Sequence, residues 1–277
     1  QREVCNYSLC VKKMTKISAT IITNNDVDTI GRCIESVAPV ADEIVVVDAF
    51  STDGTVDVCR RHGCKVRQRR FDGYGAQKQY AVSLASNSYV LSIDADEYLD
   101  ADLQQSIMQL KEQGLEHRIY SLSRLNFFGN RAIRHSGWWP DAQTRLFDRR
   151  YASWDLRNVH ERVTFPSTLW PAPVKGLLMH NRCATAAQHR RKEASYAVLE
   201  ARTLVDSGAK PSCIGAYIRA VAAFMRIYIF RLGFLDGTEG RNIASTAAAM
   251  QLVTYRMAKK AKTRIQSTVK TIESNEP

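Results

Sequence analysis

The stretch Val90-Leu91-Ser92-Ile93-Asp94-Ala95-Asp96-Glu97 constrains this chain more than any other. An apolar run ends there in three carboxylates within four positions, and acids continue at Asp100 and Asp102. Side chains alternate along a strand, so Asp94 and Asp96 point the same way if the strand persists that far. Carboxylates converging at a strand tip repel each other unless a cation or hydrogen-bond donors neutralise them. A hard divalent ion completed by phosphate oxygens would do so. The competing reading is an acidic turn opening a helix, because Asp and Glu are favoured at helix N-termini.

The residues before this stretch repeat one theme. Lys16–Thr23 is a β-branched run with the character of a buried strand. Ile30, Cys33, Ile34 and Val37 then fall at helical spacing, with Asp26 or Asp28 as N-cap. Glu43–Asp48 reads as a second strand ending in an acid. The turn residues Ser51-Thr52-Asp53-Gly54-Thr55 open a helix to about Arg61. Lys65–Arg69 reads as a short strand, Tyr74–Ala85 as a helix and Tyr89–Ile93 as a fourth strand. This alternation predicts a parallel α/β sheet, in which ligands bind beyond the carboxyl ends of the strands. Thr23, Asn25, Asp48, Asp94 and Asp96 all lie at those ends.

After a helix over Asp102–Gly114 the pattern changes. Short strand-like pieces at Ile119–Leu125, Thr144–Phe147, Val159–Phe165 and Val174–His180 suggest mixed or antiparallel pairing. From Ala184 the chain reads as helical, with a break at Ser207–Pro211 and a basic tail from Arg256. Residues 1–13 differ in character from the strand-like run after them, and Met14 is expected as the natural start after leader or upstream sequence. Residues 14–183 are then one α/β domain, divided into 14–102 and 103–183, and 184–277 form a basic helical extension.

The net charge of +11 favours an anionic partner. Seven cysteines, an odd number without paired CxxC spacing, are expected to be reduced thiols. No apolar run is expected to reach the ~18–20 residues that span a bilayer.

The ordered series ISATIITNND, DEIVVVDAFSTDGT, FDGYGAQKQYA and LSIDADE resembles the nucleotide-sugar half of family 2 glycosyltransferases with the GT-A fold. WWPDAQTRLF, NVHE and LLMH resemble one branch in particular, the lipopolysaccharide-core β-1,4-glucosyltransferases. The resemblance runs from about Ile17 to Asp236. It implies a Rossmann-like, mostly parallel sheet with a small mixed or antiparallel acceptor-side region and a C-terminal helical extension. It also implies an inverting enzyme that moves a hexose, glucose by expectation, from a UDP-sugar to a lipopolysaccharide-core or other cell-envelope glycan or glycolipid. Asp48 would then sit at the uracil, Asp94 at the ribose, and Asp96 on a Mg²⁺ or Mn²⁺ bridging the diphosphate.

The chemistry agrees, because uracil N–H and ribose hydroxyls need acceptors and a departing diphosphate needs its growing charge neutralised. Thr23 and Asn25 stand where base contacts are expected, or serve as turn and cap residues. Gln77 and Lys78 follow two glycines, and Lys78 either meets a phosphate or is a solvated helix-face lysine. Arg145 binds phosphate or pairs with an acid inside. His180, at the end of an apolar strand, completes the metal shell or is structural.

Inverting transfer needs a general base for the acceptor hydroxyl. Glu161 is the first choice, because NVHE occupies the place of the family's base. The strand-like Arg162–Phe165 after it departs from the helix of many relatives, so Asp141 is the alternative. His160 would position Glu161 or the sugar. Trp138 and Trp139 form a sugar-stacking platform or are core.

Ala220–Leu235 is apolar but carries Arg226 and Arg231, with Arg219 just before it. One helix here suits an anionic membrane surface, with a buried packing helix or homo-oligomer contact as the alternative. A cytoplasmic, peripheral location at the inner face of the cytoplasmic membrane is expected. Transfer to polyprenyl phosphate is the runner-up, usually with transmembrane helices. A nucleic-acid-binding protein accounts for the charge but not for acids at strand tips, which repel phosphate, so no nucleic-acid partner is expected. A nucleotidyltransferase would carry a Gly-rich basic loop where Asn24-Asn25-Asp26-Val27-Asp28 stands.

Overall fold

The computed structural model describes residues 14–156, 161–207 and 212–273, with side chains given through residue 262. Contacts divide the chain into two compact units, residues 1–124 with 141–180, and residues 125–140 with 181–277.

The first unit starts with the expected alternation. It runs β1 (Ile17–Thr23), α1 (Val27–Val37), β2 (Glu43–Asp48), α2 (Thr55–Arg61), β3 (Lys65–Gln68), α3 (Tyr74–Ser83) and β4 (Tyr89–Asp94). β1 pairs in parallel with β2 on one side and β4 on the other, and β2 pairs with β3. β4 shows why its apolar run is continuous. Leu91 and Ile93 pack in the cluster with Ile17, Ile21, Ile34 and Leu103, whereas Val90 packs with Val82, Phe147 and Trp154. A strand buried on both faces has no polar side to expose.

The chain continues through β5 (Glu97–Leu99), α4 (Ala101–Gln113), β6 (Ile119–Phe128), β7 (Arg131–Ala132), β8 (Ala142–Asp148), β9 (Ser153–Trp154), β10 (Val163–Thr164) and β11 (Ala172–Cys183). The main sheet has the order β3-β2-β1-β4-β8-β6-β11-β5, with β7 paired to β6, and β9 pairs separately with β10. The architecture is the expected GT-A type, with a parallel half that β8 extends in antiparallel fashion.

Three local features differ from the expectation. The acid-rich Glu97-Tyr98-Leu99 is a strand, because it pairs antiparallel with Leu178–His180. Asp100 is the residue that caps α4, accepting from the Leu103 N–H at 2.8 Å. Asp26 occupies the N-cap position of α1 without capping it. The bond comes from Asp53, which accepts from the N–H groups of Val27 and Thr55 and so serves α1 and α2 together.

In the second unit, α5 (Ala186–Asp206), α6 (Cys213–Met225) and α7 (Gly237–Glu273) pack together. The expected single helix over Ala220–Leu235 is broken. A π-helical turn (Arg226–Phe230) follows α6, Leu232 adopts a left-handed φ of 54°, and a 3-10 turn (Gly233–Asp236) leads into α7. Cys213–Phe230 also corrects the expectation about apolar length, since these 18 residues reach the length and composition of a membrane span. Only part of the Ser207–Pro211 break lies within the described residues.

Among the described residues, Cys33, Cys59, Cys64, Cys183 and Cys213 are free thiols. Burial pushes Cys59 up to about 12 and Cys64 up to about 11. Such protonated thiols are unreactive.

Candidate active site

The site is built where β4 ends. Asp94 and Asp96 are half-buried while Ala95 and Glu97 between and after them are buried, so the expected alternation survives although the strand stops at Asp94. Glu97 turns back on this segment and accepts from the Asp94 N–H at 3.0 Å. It is fully buried.

Two cations flank Asp94. Lys78 on α3 is 3% exposed, which removes the reading of a solvated helix-face lysine. Its Nζ lies 2.8 Å from Asp94 and donates to Glu161 Oε1 at 2.8 Å. Arg145 Nη2 donates to Asp94 at 2.8 Å and to Glu97 at 2.7 Å. Arg124 then donates to Glu97 at 3.0 Å and to Asp141 at 2.8 Å. The result is a relay of alternating charge, Glu161, Lys78, Asp94, Arg145, Glu97, Arg124 and Asp141. The two candidate bases stand at its opposite ends.

A register shift places Arg145 in this relay. Tyr120 pairs with Leu146 and Ser121 with Thr144, so Arg145 is the extra residue of a β-bulge in β8. Bulges re-aim side chains and occur next to active sites. The Arg145 guanidinium carbon lies 5.5 Å from the Trp154 ring centre, and Lys78 Nζ lies 4.7 Å from it. Trp154 is itself fixed by a bond from its ring N–H to Ser92 at 3.1 Å.

Burial acts to raise the Asp94 pKa, but Lys78 and Arg145 outweigh it and hold the carboxyl well below the usual carboxylate range. Burial acts to lower that of Arg145, yet Glu97 and Asp94 drive it still higher. Both groups are therefore charged at neutral pH.

Asp96 belongs to a second group. The β5–β11 register sets His180 opposite Glu97, and His180 Nε2 lies 3.3 Å from Asp96 Oδ2. Asp26 is also close. Burial raises its pKa, and the charge of Asp96 adds to that against bonds from Asn24 and Thr23. No group of three or more His, Cys, Asp or Glu positioned to hold a metal occurs among the described residues.

The base-side residues lie at the ends of β1 and β2. Asp48 is fully buried and accepts from the Ser51 N–H and hydroxyl and from Gln68 Nε2. Asn25 Oδ1 accepts from the Thr52 N–H at 2.8 Å, and Thr23 donates to Asp26 at 2.8 Å. The Asp48 and Asn25 bonds order the 49–53 loop. Gln77 is buried and accepts from Arg69 at 2.9 Å.

Trp138 and Trp139 belong to the second unit. Trp138 stacks on Phe128 at 6.2 Å, with the Arg182 guanidinium 4.6 Å from its ring centre. Arg134 lies 5.9 Å from the Trp139 ring centre. His160 lies outside the described residues.

Sequence reasoning misses Arg124, Trp154 and the central position of Glu97, which it gives to the next helix. A cation between apolar residues of a strand, Arg124 in β6, is the available signal.

Known proteins resemble this chain in sequence. Residues 18–170 match the family model Glycosyl transferase family 2. An uncharacterized glycosyltransferase of Rickettsia bellii is 31% identical over 234 residues, covering 81% of this chain and 80% of the relative. The lipopolysaccharide core biosynthesis glycosyltransferase LpsC of Rhizobium meliloti is 31% identical over 245 residues, covering 86% and 90%. Among solved structures, mannosyl-3-phosphoglycerate synthase from Rubrobacter xylanophilus is 26% identical with a TM-score of 0.34, and the match covers 41% of each chain. Glucosyl-3-phosphoglycerate synthase from Mycobacterium tuberculosis, crystallised with Mn²⁺, UDP and glucosyl-3-phosphoglycerate, is 21% identical with a TM-score of 0.33. That match covers 42% of this chain and 45% of the other. With the family model spanning more than half its length and relatives of this similarity along most of it, the chain belongs to glycosyl transferase family 2.

Proposed function

We propose that this protein transfers a hexose, glucose first, from a UDP-sugar to a lipopolysaccharide-core or related cell-envelope glycan with inversion at the anomeric carbon. The observation that carries this reading is the separation of two acids from one strand tip. Asp94 is enclosed by Lys78 and Arg145, whereas Asp96 stands beside an imidazole.

A carboxylate has about four acceptor positions, so Asp94 retains capacity for ribose hydroxyls beyond its two cations. Asp96 and His180 offer an oxygen and a nitrogen donor to one divalent ion, and one carboxylate with substrate phosphates is already a usual Mg²⁺ arrangement. Mn²⁺ or Mg²⁺ bound there would supply Lewis-acid neutralisation of the diphosphate leaving group. The 49–53 loop, ordered by Asp48 and Asn25, is the surface assigned to the uracil.

Glu161 is assigned as the base. Lys78 holds it by one oxygen, at Oε1. Asp141 has both oxygens engaged, Oδ2 by Arg124 and Oδ1 by Gln143. Lys78 thus acts by orienting Glu161 and Asp94 together, and Arg145 by fixing Asp94 against Glu97.

The test is a panel of UDP-sugars with Mn²⁺ or Mg²⁺, read by thermal shift and by donor hydrolysis. Stabilisation and hydrolysis with UDP-glucose, both dependent on the ion, are expected. Stabilisation by no UDP-sugar would overturn the assignment.

A further inference from the structure

Helix α6 is built inside out for a soluble protein. Its buried residues are Ala216, Ala220 and Ala223, a narrow face of small side chains. Its large apolar residues Ile214, Tyr217, Ile218, Val221 and Met225, and Phe230 beyond them, are all exposed, Phe230 by 78% and Ile214 by 74%. Positions 214, 217, 218, 221 and 225 share one side at helical spacing. A helix that packs by its alanines and turns its bulk outward leaves an apolar face to be covered.

The charges beside that face indicate by what. Between Asp206 and Asp236 the chain has no acidic residue, while Arg219, Arg226 and Arg231 are exposed. At 100° per residue, Arg219 and Arg226 lie roughly 130° from the centre of the apolar stripe, beyond its flank and turned away from it. From there long side chains reach up to headgroups while the stripe sinks below them. A second copy is equally basic over this stretch and offers no acid from it to complement the arginines. A bilayer-spanning helix would submerge both arginines and strip the alanine face from its neighbours.

We infer that α6 and the turn after it dock in the plane of an anionic phospholipid bilayer. The stripe from Ile214 to Met225, with the exposed Phe230 of the turn after it, enters the acyl boundary, and Arg219, Arg226 and Arg231 meet lipid phosphates. The same turn is bonded to the segment that carries the tryptophans. Ser136 donates its N–H to the Arg231 carbonyl at 2.9 Å, and its hydroxyl to Asp236 at 2.6 Å. Docking would thereby hold that segment near the headgroups. This inference does not rest on the assignment of the catalytic site.

The experiment is co-sedimentation of the full chain with vesicles of phosphatidylcholine alone, or of phosphatidylcholine mixed with phosphatidylglycerol. Binding to the mixed vesicles, reduced by salt, is expected, with little binding to the neutral ones. Arg219→Gln with Arg226→Gln should weaken it roughly 30-fold. Ile218→Asp with Phe230→Asp should weaken it at least about tenfold. Donor hydrolysis and the melting temperature should be unchanged in both variants, and the arginine pair serves alone if the aspartates impair folding. Equal binding to both vesicle types, or no binding by the folded parent, would overturn the inference. So would a lipid-free dimer that Ile218→Asp dissociates, or resistance to alkaline extraction from the mixed vesicles.

Discussion

Lys78 Nζ lies 2.8 Å from Asp94 and 2.8 Å from Glu161, so one buried ammonium joins the acid of a strand tip to the acid of a distant loop. Removing one partner from a buried ionic group leaves the others uncompensated, which costs about 3–5 kcal/mol. Lys78→Met is expected to lose that much stability in urea unfolding and to abolish donor hydrolysis. A variant as stable as the parent would show that the relay has no energetic part in the fold.

The two candidate bases separate by substitution. Glu161→Gln should reduce transfer by roughly 10²–10⁴, the usual contribution of a positioned base, while UDP-sugar still stabilises the protein. Asp141→Asn should cost much less in transfer. Survival of activity in the first with loss in the second would reverse the assignment.

Metal dependence is expected to follow Asp96. Asp96→Asn should remove the Mn²⁺-dependent part of the UDP thermal shift and lower donor hydrolysis by at least about 10²-fold, the scale of losing transition-state charge stabilisation. His180→Ala should weaken the ion's effect without eliminating it. Titration of Mn²⁺ in the presence of UDP, followed by melting temperature, separates the two.

Acid stability should depend on Glu43, which ties three strands of the parallel sheet to the loop before β4. Burial acts to raise its pKa, but Lys65, Ser18 and Ser86 outweigh this and bring it down to about 2 from 4.5. A depressed folded-state pKa gives stability that is complete above 4.5 and lost as pH falls toward 2. Glu43→Gln should therefore be less stable than the parent at neutral pH, and the two stabilities should converge over that interval. A constant difference from neutral pH down to 2 would contradict it.

Gly176 in β11 leaves no room for a side chain. Its φ is +105°, and an added Cβ would meet the Leu103 amide nitrogen at 2.2 Å. Gly176→Ala must both strain β11 and push α4 away, so a loss of more than about 3 kcal/mol is expected. Denaturant unfolding measures it, and a loss below about 1 kcal/mol would mean that the strand shifts freely.

Most of the parallel half was legible because its signals are local. Apolar runs of strand length, helical spacing at Ile30, Cys33, Ile34 and Val37, and turn residues at 51–55 each report on their own element. The carboxylates at strand ends were legible for the same reason, since strand polarity alone puts them on one edge of the sheet. The strand at Glu97–Leu99 was not, because its partner lies some eighty residues away at Leu178–His180 and nothing in its own composition asks for one. Arg145 was visible as a cation among apolar neighbours, but only a slipped register in β8 aims it at Asp94 and Glu97.

By itself the sequence determined the order of strands and helices, the acids at the strand tips, and the net positive charge. Tertiary structure alone decided which cation meets which acid, that Lys78 is buried, and that α6 turns its alanines inward. The physical reason is that periodicity records which side of an element is apolar. A buried charge is settled by partners brought together from across the chain, and an apolar face by whatever packs against it.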